Sequence, residues 1–329
     1  MSDSSFRIVV VSEEMCRRLV TTADSFTAVE AAFAAMAAEE AVNFPVVRQA
    51  LGHADALYGF KSGFDHKGMT LGVKSGGYWP QNLARHSLTN HQSSVLLFDP
   101  DTGRLQAIVG GNHLTALRTA AATAVSIRHL SRPDSEILGI MGAGHQSAFQ
   151  IRAALEQRGF KKIIGWNRSP AGLDHLAEIA ENCGVAFESA SPELLAQTAD
   201  VIVTITSSHA ALLPAAHIKA GSHIAAMGTD TKGKQELDPA IFSRAEIFTD
   251  EVAQSISIGE AQHAVMSGLV APSAITPIGL VINGAHAGRS SRDAITVFDG
   301  TGVGLQDLAL ARVAVSRALQ ANEAQLVSL

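Results

Sequence analysis

The spacing of apolar residues along the first third of the chain predicts helices followed by short strands. Residues 6–11 (FRIVVV) form an apolar run typical of a strand, and residues 24–40 show the three- and four-residue spacing of an amphipathic helix. Short runs rich in β-forming residues then predict strands at 57–61, 69–74, 93–98 and 104–109. The turn DPDTG at 99–103 joins the last two as an antiparallel hairpin. We therefore expect an α+β domain here.

A long alanine-rich helix over 112–132 leads to a different pattern, in which short apolar runs alternate with helical segments. The runs predict strands at 137–140, 162–166, 186–188, 201–205, 223–227 and 245–249, with helices at 145–158, 171–183 and 192–198. This alternation indicates a parallel sheet with right-handed crossovers, the α/β class. An apolar helix over 305–329 is expected to close the chain. The predicted domains are 1–114 with 305–329, which is α+β, and 115–304, which is α/β.

A glycine-rich turn lies between the first strand and the first helix of the α/β region. Its residues are Gly142, Ala143, Gly144, His145, Gln146 and Ser147. Glycine lets the chain turn tightly and lets a pyrophosphate approach the backbone, and the following helix N-terminus favours an anion. This order predicts a Rossmann-type dinucleotide-binding domain, although an ordinary tight βα turn has the same pattern.

The second strand of that domain ends at Asn167 and Arg168, where NAD-binding folds usually carry an acidic residue for the ribose. An arginine can instead meet the 2′-phosphate of NADPH, so NADPH is slightly favoured as the cofactor. A solvated arginine with NADH bound is the alternative.

Small and polar residues follow the fourth and fifth predicted strands, at the edge where ligands bind in such sheets. They are Thr204, Ser207, Met227, Gly228 and Asp230. The small residues would let the nicotinamide half of a cofactor lie close, and Asp230 could exchange a proton with a substrate. Serine and threonine are also common turn residues, and an aspartate after a strand is often a helix cap.

Three cations stand among apolar or small residues: Arg48, Lys74 and Arg118. A buried cation needs a partner, and arginine can hold a carboxylate in a bidentate manner. The sequence therefore predicts a carboxylate-binding site, with an internal salt bridge as the alternative for each cation.

Composition excludes several other classes of protein. The chain has 329 residues, 47% of them hydrophobic and 17% charged, and a net charge of −6 without a basic tract, so no nucleic acid is expected. Its two cysteines, Cys16 and Cys183, show no metal-ligand spacing, so we expect no metal and a reducing compartment. Residues 1–5 (MSDSS) lack the features of a signal peptide, and no window has the length of a membrane span. A cytoplasmic protein is expected.

Several segments in a specific order give the chain a resemblance to the ornithine cyclodeaminase and μ-crystallin family over nearly its full length. They are GVK at 72–74, FDPDTG at 98–103, TALRTA at 115–120, GAGHQ at 142–146, GTD at 228–230, GKQEL at 233–237, TVFD at 296–299 and TG at 301–302.

The resemblance implies a homodimer built through the first domain, which binds the substrate, and a second domain that binds NAD(P). It implies that Arg48, Lys74 and Arg118 hold the carboxylate of an amino or imino acid, with Lys74 also stabilising charge. It implies that Asp230 is the catalytic acid/base during hydride transfer between the nicotinamide and the substrate α-carbon. It also adds Thr119 and Gly302 to the cofactor contacts.

Departures from the family pattern bear on the substrate. Residues 57–61 (LYGFK) contain no carboxylate to hold the distal amine of ornithine, and Lys61 and His91 add groups that can be cationic. Gly300 stands where the family usually has serine. These differences favour a substrate with a second carboxylate, and reduction of iminosuccinate to L-aspartate is the expected reaction. The alternatives are a cyclodeaminase that releases ammonia, an alanine dehydrogenase, and a crystallin-like nucleotide-binding protein without turnover.

Overall fold

The computed structural model describes residues 6–328, and residues 1–5 and Leu329 lie outside this range. The absence of a signal peptide, inferred from residues 1–5, thus concerns a part that the structure does not describe. The chain divides into two compact units, residues 1–118 with 303–329 and residues 119–302. Within residues 6–328, no helix combines the length and apolarity needed to cross a membrane.

The helices and strands are numbered along the chain. Up to residue 130 they are β1 (Arg7–Val11), α1 (Glu13–Leu19), α2 (Thr22–Ala37), β2 (Ala41–Asn43), β3 (Val47–Ala50), β4 (Leu57–Asp65), β5 (Thr70–Tyr78), α3 (Asn82–His86), β6 (His91–Phe98), β7 (Leu105–Gly110) and α4 (Asn112–Leu130).

The following elements of the second unit are β8 (Ile137–Met141), α5 (Ser147–Leu155), β9 (Lys162–Trp166), α6 (Pro170–Asn182), β10 (Ala186–Ser189), α7 (Pro192–Thr198), β11 (Val201–Thr204), β12 (His209–Leu213), β13 (His223–Ala226), β14 (Gln235–Leu237), β15 (Ala245–Thr249), α8 (Val252–Ser255), α9 (Gln262–Met266), β16 (Ile275–Pro277), α10 (Ile278–Ile282) and β17 (Ile295–Asp299). The chain ends in the first unit with α11 (Gly304–Gln320) and β18 (Gln325–Ser328).

The first unit is one mixed sheet with helices packed on it. The strand order is β18-β1-β7-β6-β5-β4-β2, with β3 also paired to β4. Only the β1–β7 pairing is parallel among the described strands of this sheet. A Cβ atom at Gly63 would lie 3.0 Å from Leu305 Cγ, and one at Gly72 would lie 2.7 Å from Leu308 Cδ2. Glycine at these positions lets the first turns of α11 approach β4 and β5 closely.

The second unit is built on a parallel sheet with the strand order β10-β9-β8-β11-β13-β17-β15-β16. The chain leaves β8 toward β9 on one side and later returns to β11 on the other side. The carboxyl ends of β8 and β11 therefore flank the topological switch point, which is where such sheets bind ligands.

The predicted fold class is confirmed: an α/β unit with a Rossmann-type parallel sheet accompanies an α+β unit. The continuous helix over 305–329 is wrong, because α11 ends at Gln320 and β18 pairs with β1. Asn322 adopts the left-handed conformation (φ 57°), which reverses the chain after the helix. The parallel sheet also contains β16 and β17, which the apolar pattern did not identify as strands.

Candidate active site

A cluster of cations lies on the face of the first sheet that α11 covers, and Arg48 is the half-buried member of it. Lys61 of β4 and Lys74 of β5 are direct cross-strand partners, and both are buried, at 8% and 6% exposure. Arg48 of β3 pairs with Gly59, two residues before Lys61, so its side chain leaves the same face of the sheet. The register of three strands thus brings three of the predicted substrate-binding residues together.

Arg118 joins this cluster from α4, and a carboxylate that the sequence reasoning missed joins it from α11. Asp307 is fully buried; its Oδ2 lies 2.7 Å from Lys74 Nζ and its Oδ1 lies 3.2 Å from Arg118 Nε. Gln306 Oε1 accepts a hydrogen bond from Arg118 Nη1 at 3.2 Å. Lys74 Nζ also reaches Thr115 Oγ1 at 3.5 Å. The salt bridge considered for Lys74 and Arg118 is therefore present, with Asp307 as the shared partner.

The charges of the cluster act on one another. Burial lowers the pKa of Lys74 to about 8, and the positive charges of Arg118 and Arg48 act in the same direction against the attraction of Asp307. Burial alone would raise the pKa of Asp307, but Lys74, Arg118 and Lys61 together hold this pKa below its ordinary value. Asp307 is therefore ionised at neutral pH, and Lys74 can change its protonation near pH 8.

His91 is not brought to this cluster. It is the first residue of β6 and pairs with Tyr78, whereas Lys74 pairs with Val95 four residues further along β6. At about 3.3 Å per residue, His91 lies roughly 13 Å along the strand from the row of Lys74. Its proposed contact with the substrate stays a prediction.

In the second unit, most of the predicted cofactor residues follow strands that are neighbours in the sheet. Gly142, Ala143, Gly144, His145 and Gln146 follow β8; Asn167 and Arg168 follow β9; Thr204 ends β11 and Ser207 follows it; Met227, Gly228 and Asp230 follow β13; Gly302 follows β17. Because the strands are parallel, these positions share one edge of the sheet. Thr119 is the exception, since it lies buried within α4.

The glycine-rich turn has the shape that a dinucleotide requires. Gly142 has a φ of 109°, and a Cβ atom there would lie 2.8 Å from Ile205 O in the segment after β11. Gly144 is exposed, and apart from Gly144 and its chain neighbours no residue within 6–328 has an atom within 4 Å of the place that its Cβ would occupy, so a ligand can approach its backbone. Because α5 begins at Ser147, the positive end of its dipole lies next to the turn. The residues present thus fit a bound pyrophosphate.

Asn167, just after β9, forms a hydrogen bond with this turn, and Arg168 is the residue that follows it. Asn167 Oδ1 accepts a hydrogen bond from the N–H of Ala143 at 3.2 Å, and its Nδ2 donates to Ser169 O at 3.1 Å. Arg168 is exposed, as expected of a residue that would meet a ribose phosphate or solvent. Asn167 thereby fixes the turn relative to the end of β9.

A buried glutamate ties together the segments that follow β11 and β13. The carboxylate of Glu236 accepts hydrogen bonds from Thr204 Oγ1 at 2.7 Å and from the N–H of Gly228 at 2.9 Å, and it also accepts from the N–H of Thr206. Glu260 continues the network, accepting from the N–H of Glu236 at 2.8 Å and from Thr229 Oγ1. Burial raises the pKa of Glu236, and burial with the neighbouring Glu236 charge raises the pKa of Glu260 to about 8.

Asp230 follows directly after this braced segment and is half-buried. Its Oδ1 lies 3.0 Å from Lys234 Nζ, and the same ammonium donates to Gly228 O at 3.2 Å. Lys234 therefore holds the predicted acid/base in place from within its own loop.

Asp299, the last residue of β17, and Asp250, just after β15, complete the polar network of this edge. Asp299 accepts from Ser255 Oγ at 2.6 Å and from the N–H of Glu260 at 2.9 Å, and burial raises its pKa to about 7. Asp250 accepts from the N–H of Thr301 at 3.0 Å and of Gly302 at 2.6 Å. The backbone at Gly302 is thus fixed by a carboxylate from a neighbouring strand.

Sequence reasoning missed Asp307, Lys234, Glu236 and Glu260 as parts of these sites. The signal for Asp307 was present, since it shares the buried stripe of α11 with Ala311, Ala314 and Ala318. An aspartate on an apolar helix face needs a cationic partner. Glu236 and Glu260 lie at a short strand and in a loop, where an acidic residue is ordinarily solvated.

Comparisons with known proteins agree with the fold. The sequence profile of the ornithine cyclodeaminase/mu-crystallin family matches residues 8–322. The iminosuccinate reductase of Paracoccus denitrificans is 56% identical over 322 residues, which cover 98% of this chain and 100% of that protein. The crystal structure of that reductase in complex with NAD+ has a TM-score of 0.94, again covering 98% and 100% of the two chains.

Two further relatives are more distant. A structure of an archaeal alanine dehydrogenase dimer with bound NAD has a TM-score of 0.92 at 28% identity, covering 98% of this chain and 100% of that one. The ketimine reductase mu-crystallin of Rattus norvegicus is 31% identical over 230 residues, 70% of this chain and 71% of that protein. With its profile match over nearly the whole length, the chain belongs to the ornithine cyclodeaminase/mu-crystallin family.

Proposed function

We propose that the protein is an NAD(P)H-dependent imino-acid reductase whose reaction is the reduction of iminosuccinate to L-aspartate. One observation carries the choice of substrate: the buried Lys61 lies directly opposite the buried Lys74 in the β4–β5 register. Two ammonium groups side by side repel each other in a low-dielectric site unless anions lie between or beside them. The 56% identity to an iminosuccinate reductase supports the same choice.

The charge of the cluster supports a dicarboxylate. Arg48, Lys61, Lys74 and Arg118 are four cations, and Asp307 is one anion, so these five groups carry a formal charge of +3 when all are ionised. The two carboxylates of iminosuccinate bring two negative charges to these four cations, whereas a monocarboxylate brings one. Buried charge is tolerated only when it is paired in this way.

Each residue has a role in this proposal. Arg48, Lys74 and Arg118 hold the α-carboxylate, and Lys61 holds the distal one, with His91 as a further contact. Held in this way, the imine is oriented for attack, and orientation is the main contribution of such a clamp. Lys74 also stabilises charge, and Asp230, held by Lys234, supplies the proton that the imine nitrogen takes up.

The cofactor would be held by the carboxyl edge of the second unit. The turn from Gly142 to Gln146 would bind the pyrophosphate, and Thr204, Ser207, Met227, Gly228 and Gly302 would line the nicotinamide half, with Thr119 as a further contact. When bound, NADH or NADPH supplies the hydride that reduces the imine carbon. Glu236 and Asp250 keep the backbone of this edge in place.

The competing reactions would require different charges on the side chains that β4 presents to the substrate. A cyclodeaminase acting on ornithine would need an anion for the distal amine, and the strand presents Lys61 to the buried face instead. An alanine dehydrogenase would have no use for a fourth cation, because its substrate has one carboxylate. The geometry therefore favours the reductase of a dicarboxylic imine over both.

The test uses purified protein with iminosuccinate formed from oxaloacetate and ammonia, and it follows NADH and NADPH oxidation with identification of L-aspartate. Pyruvate with ammonia and L-ornithine serve as comparison substrates. We expect fast turnover of iminosuccinate, slow turnover of the pyruvate imine and no ammonia release from ornithine. No oxidation of either cofactor with any substrate would contradict the enzyme function, and faster turnover of the pyruvate imine would contradict the substrate.

The preference for NADPH rests on Arg168. Replacing it by alanine is expected to raise the KM for NADPH and to leave the KM for NADH nearly unchanged, because only NADPH carries the 2′-phosphate. Equal effects on both cofactors, or none on either, would reject this role of Arg168.

A homodimer is proposed through the first unit. The face of its sheet opposite α11 carries Val42, Val47 and Phe60, which are 45%, 47% and 42% exposed. Such an apolar face is typical of a surface that a second copy covers. Phe60→Glu should convert the dimer into monomers in analytical ultracentrifugation, whereas Met266→Glu, at an exposed position of the second unit, should not. A monomeric wild-type protein would reject the proposal.

A further inference from the structure

Asp307 occupies an unusual place for a carboxylate. It lies in the first turns of α11, fully buried, on the helix face that packs against β4 and β5. Burying a carboxylate costs several kcal/mol unless close cations compensate, as Lys74 and Arg118 do here at 2.7 Å and 3.2 Å. These ion pairs, and not helix capping, account for the position of Asp307.

The groups that face Lys74 come from every element packed around it. Arg48 of β3, Lys61 of β4 and Arg118 of α4 are cations; Thr115 of α4 is neutral; Val95, its partner on β6, is apolar. Asp307 of α11 is the anion that directly contacts the Lys74 ammonium. Without it, the charges named here would all oppose a proton on Lys74.

Asp307 also fixes the guanidinium of Arg118. The Nε atom lies 3.2 Å from Asp307 Oδ1, and Nη1 donates to Gln306 Oε1 at 3.2 Å. Two neighbouring residues of one helix turn thus hold Arg118 along one side of its planar group. A fixed planar guanidinium loses less freedom when it binds a carboxylate.

We propose that Asp307 is a positioning residue that keeps Lys74 protonated and Arg118 oriented, so that the binding of a dicarboxylate depends on pH through Lys74. This inference rests on the proposed function, because it assumes that the cluster binds such a ligand. Asp307 itself is not expected to contact the substrate.

The sign of the pH dependence follows from the charges. Burial lowers the pKa of Lys74 to about 8 in the free protein, and a bound anion favours the protonated form. Affinity for a dicarboxylate should therefore be constant below pH 8 and fall as the pH rises above it. In Asp307→Asn the Lys74 proton is lost at lower pH, so the decline should begin roughly one to two pH units lower.

The experiment measures the dissociation constant of succinate from the NAD+-saturated protein between pH 6 and pH 10. Wild type should show the break near pH 8, and Asp307→Asn should show a lower break and bind about tenfold more weakly at pH 7.5. Lys74→Met should bind weakly at every pH without a break near pH 8. Asp101→Asn, at an exposed turn of the same unit, is the matched control and should behave as wild type.

The possible outcomes distinguish a failure of the role proposed for Asp307 from a failure of the proposed dicarboxylate site. If wild type does not bind succinate, the proposed dicarboxylate site fails. If wild type binds it but Asp307→Asn keeps the same break, the role of Asp307 is overturned while the function stands. If Asp307→Asn does not fold, as judged by circular dichroism and thermal unfolding, Asp307→Glu is tested in its place. This variant retains the charge, so its break should stay near pH 8 while its affinity falls. A displaced break in Asp307→Glu would overturn the proposal.

Discussion

The two units each bury a cluster of charged side chains, and the clusters are satisfied in different ways. In the first unit the carboxylate of Asp307 pairs with Lys74 and Arg118, and Lys61 and Arg48 lie on the same face of the sheet. In the second unit the carboxylates of Glu236, Glu260, Asp299 and Asp250 accept hydrogen bonds from backbone N–H groups and hydroxyls.

We interpret this difference as one between a proposed ligand site and a structural scaffold. The carboxylates of the second unit accept hydrogen bonds from N–H groups of the neighbouring loops, so the protein itself supplies their hydrogen-bond donors. The cations of the first unit outnumber the carboxylate of Asp307 among them, an arrangement that would suit an anionic ligand. We therefore interpret the cationic cluster as the proposed substrate site, and the carboxylates that backbone donors saturate as the scaffold of the proposed cofactor loops.

The strongest test of this contrast is Lys74→Met. Removing a buried cation from a ligand site should lower kcat/KM for iminosuccinate by about 100- to 1,000-fold, because the substrate carboxylate loses a charged partner. The melting temperature should fall as well, because Asp307 Oδ2 loses its 2.7 Å partner, but the ion pair between Arg118 and Asp307 limits this loss. Steady-state kinetics and calorimetry measure the two effects.

The matched control for Lys74→Met is Lys67→Met. Lys67 forms a 3.0 Å ion pair with Glu40 at the surface, where its side chain is 73% exposed. We expect wild-type kinetics from this variant. A large loss of stability with little loss of activity in Lys74→Met would mean that the cluster is structural.

The opposite result is expected for Glu236→Ala in the second unit. Thr204 Oγ1 and the N–H groups of Thr206 and Gly228 lose their acceptor, which costs about 3 kcal/mol or more. The melting temperature should fall by about 6 to 12 °C, and cofactor affinity should fall with it. Glu236→Gln, which keeps an acceptor oxygen, should lose less. A Glu236→Ala variant as stable as wild type would contradict the interpretation that this carboxylate stabilises the cofactor loops.

A smaller, pH-dependent effect is expected for Glu260→Gln. The pKa of Glu260 is raised from 4.5 to about 8 in the folded protein, so its proton stabilises the fold at acid pH. That contribution is lost as the pH rises from 4.5 through 8. Glutamine resembles the protonated form at every pH, so the variant should gain stability relative to wild type over this interval. Urea unfolding at a series of pH values measures the difference, and a difference that does not vary with pH would contradict the assignment.

Local patterns were sufficient to predict the elements that organise both units. The apolar run before Gly142, the helical spacing after it and the alternation that follows specify a parallel sheet, because each signal lies within a few residues. The exposed edge strand β18 has no apolar alternation, and β2 and β16 are only three residues long. Pairing with distant partners makes these segments strands, and a local pattern does not contain that information.

The sequence predicted those site residues whose type and local surroundings indicate a chemical role, but not the partners that contact them. Lys74 and Arg118 stood out as cations among small residues, but their common partner Asp307 is about two hundred residues distant in sequence. Lys61 was predicted to bind the substrate because it differs from the family pattern. The β4–β5 register places it beside Lys74. Glu236 lies within the GKQEL segment of the family resemblance, but neither it nor Glu260 has a local pattern that predicts its burial, because an acidic residue in a short strand or a loop is ordinarily solvated.

The most direct test of the central claim compares two substrates in wild type and in Lys61→Met. The quantity measured is the ratio of kcat/KM for iminosuccinate to kcat/KM for the imine of pyruvate, which lacks the second carboxylate. A charged hydrogen bond in a buried site contributes about 1.5 to 3 kcal/mol, so the ratio should fall about 10- to 100-fold in Lys61→Met, mainly through iminosuccinate. An unchanged ratio, or a wild type that prefers the pyruvate imine, would contradict recognition of a dicarboxylate by this cluster.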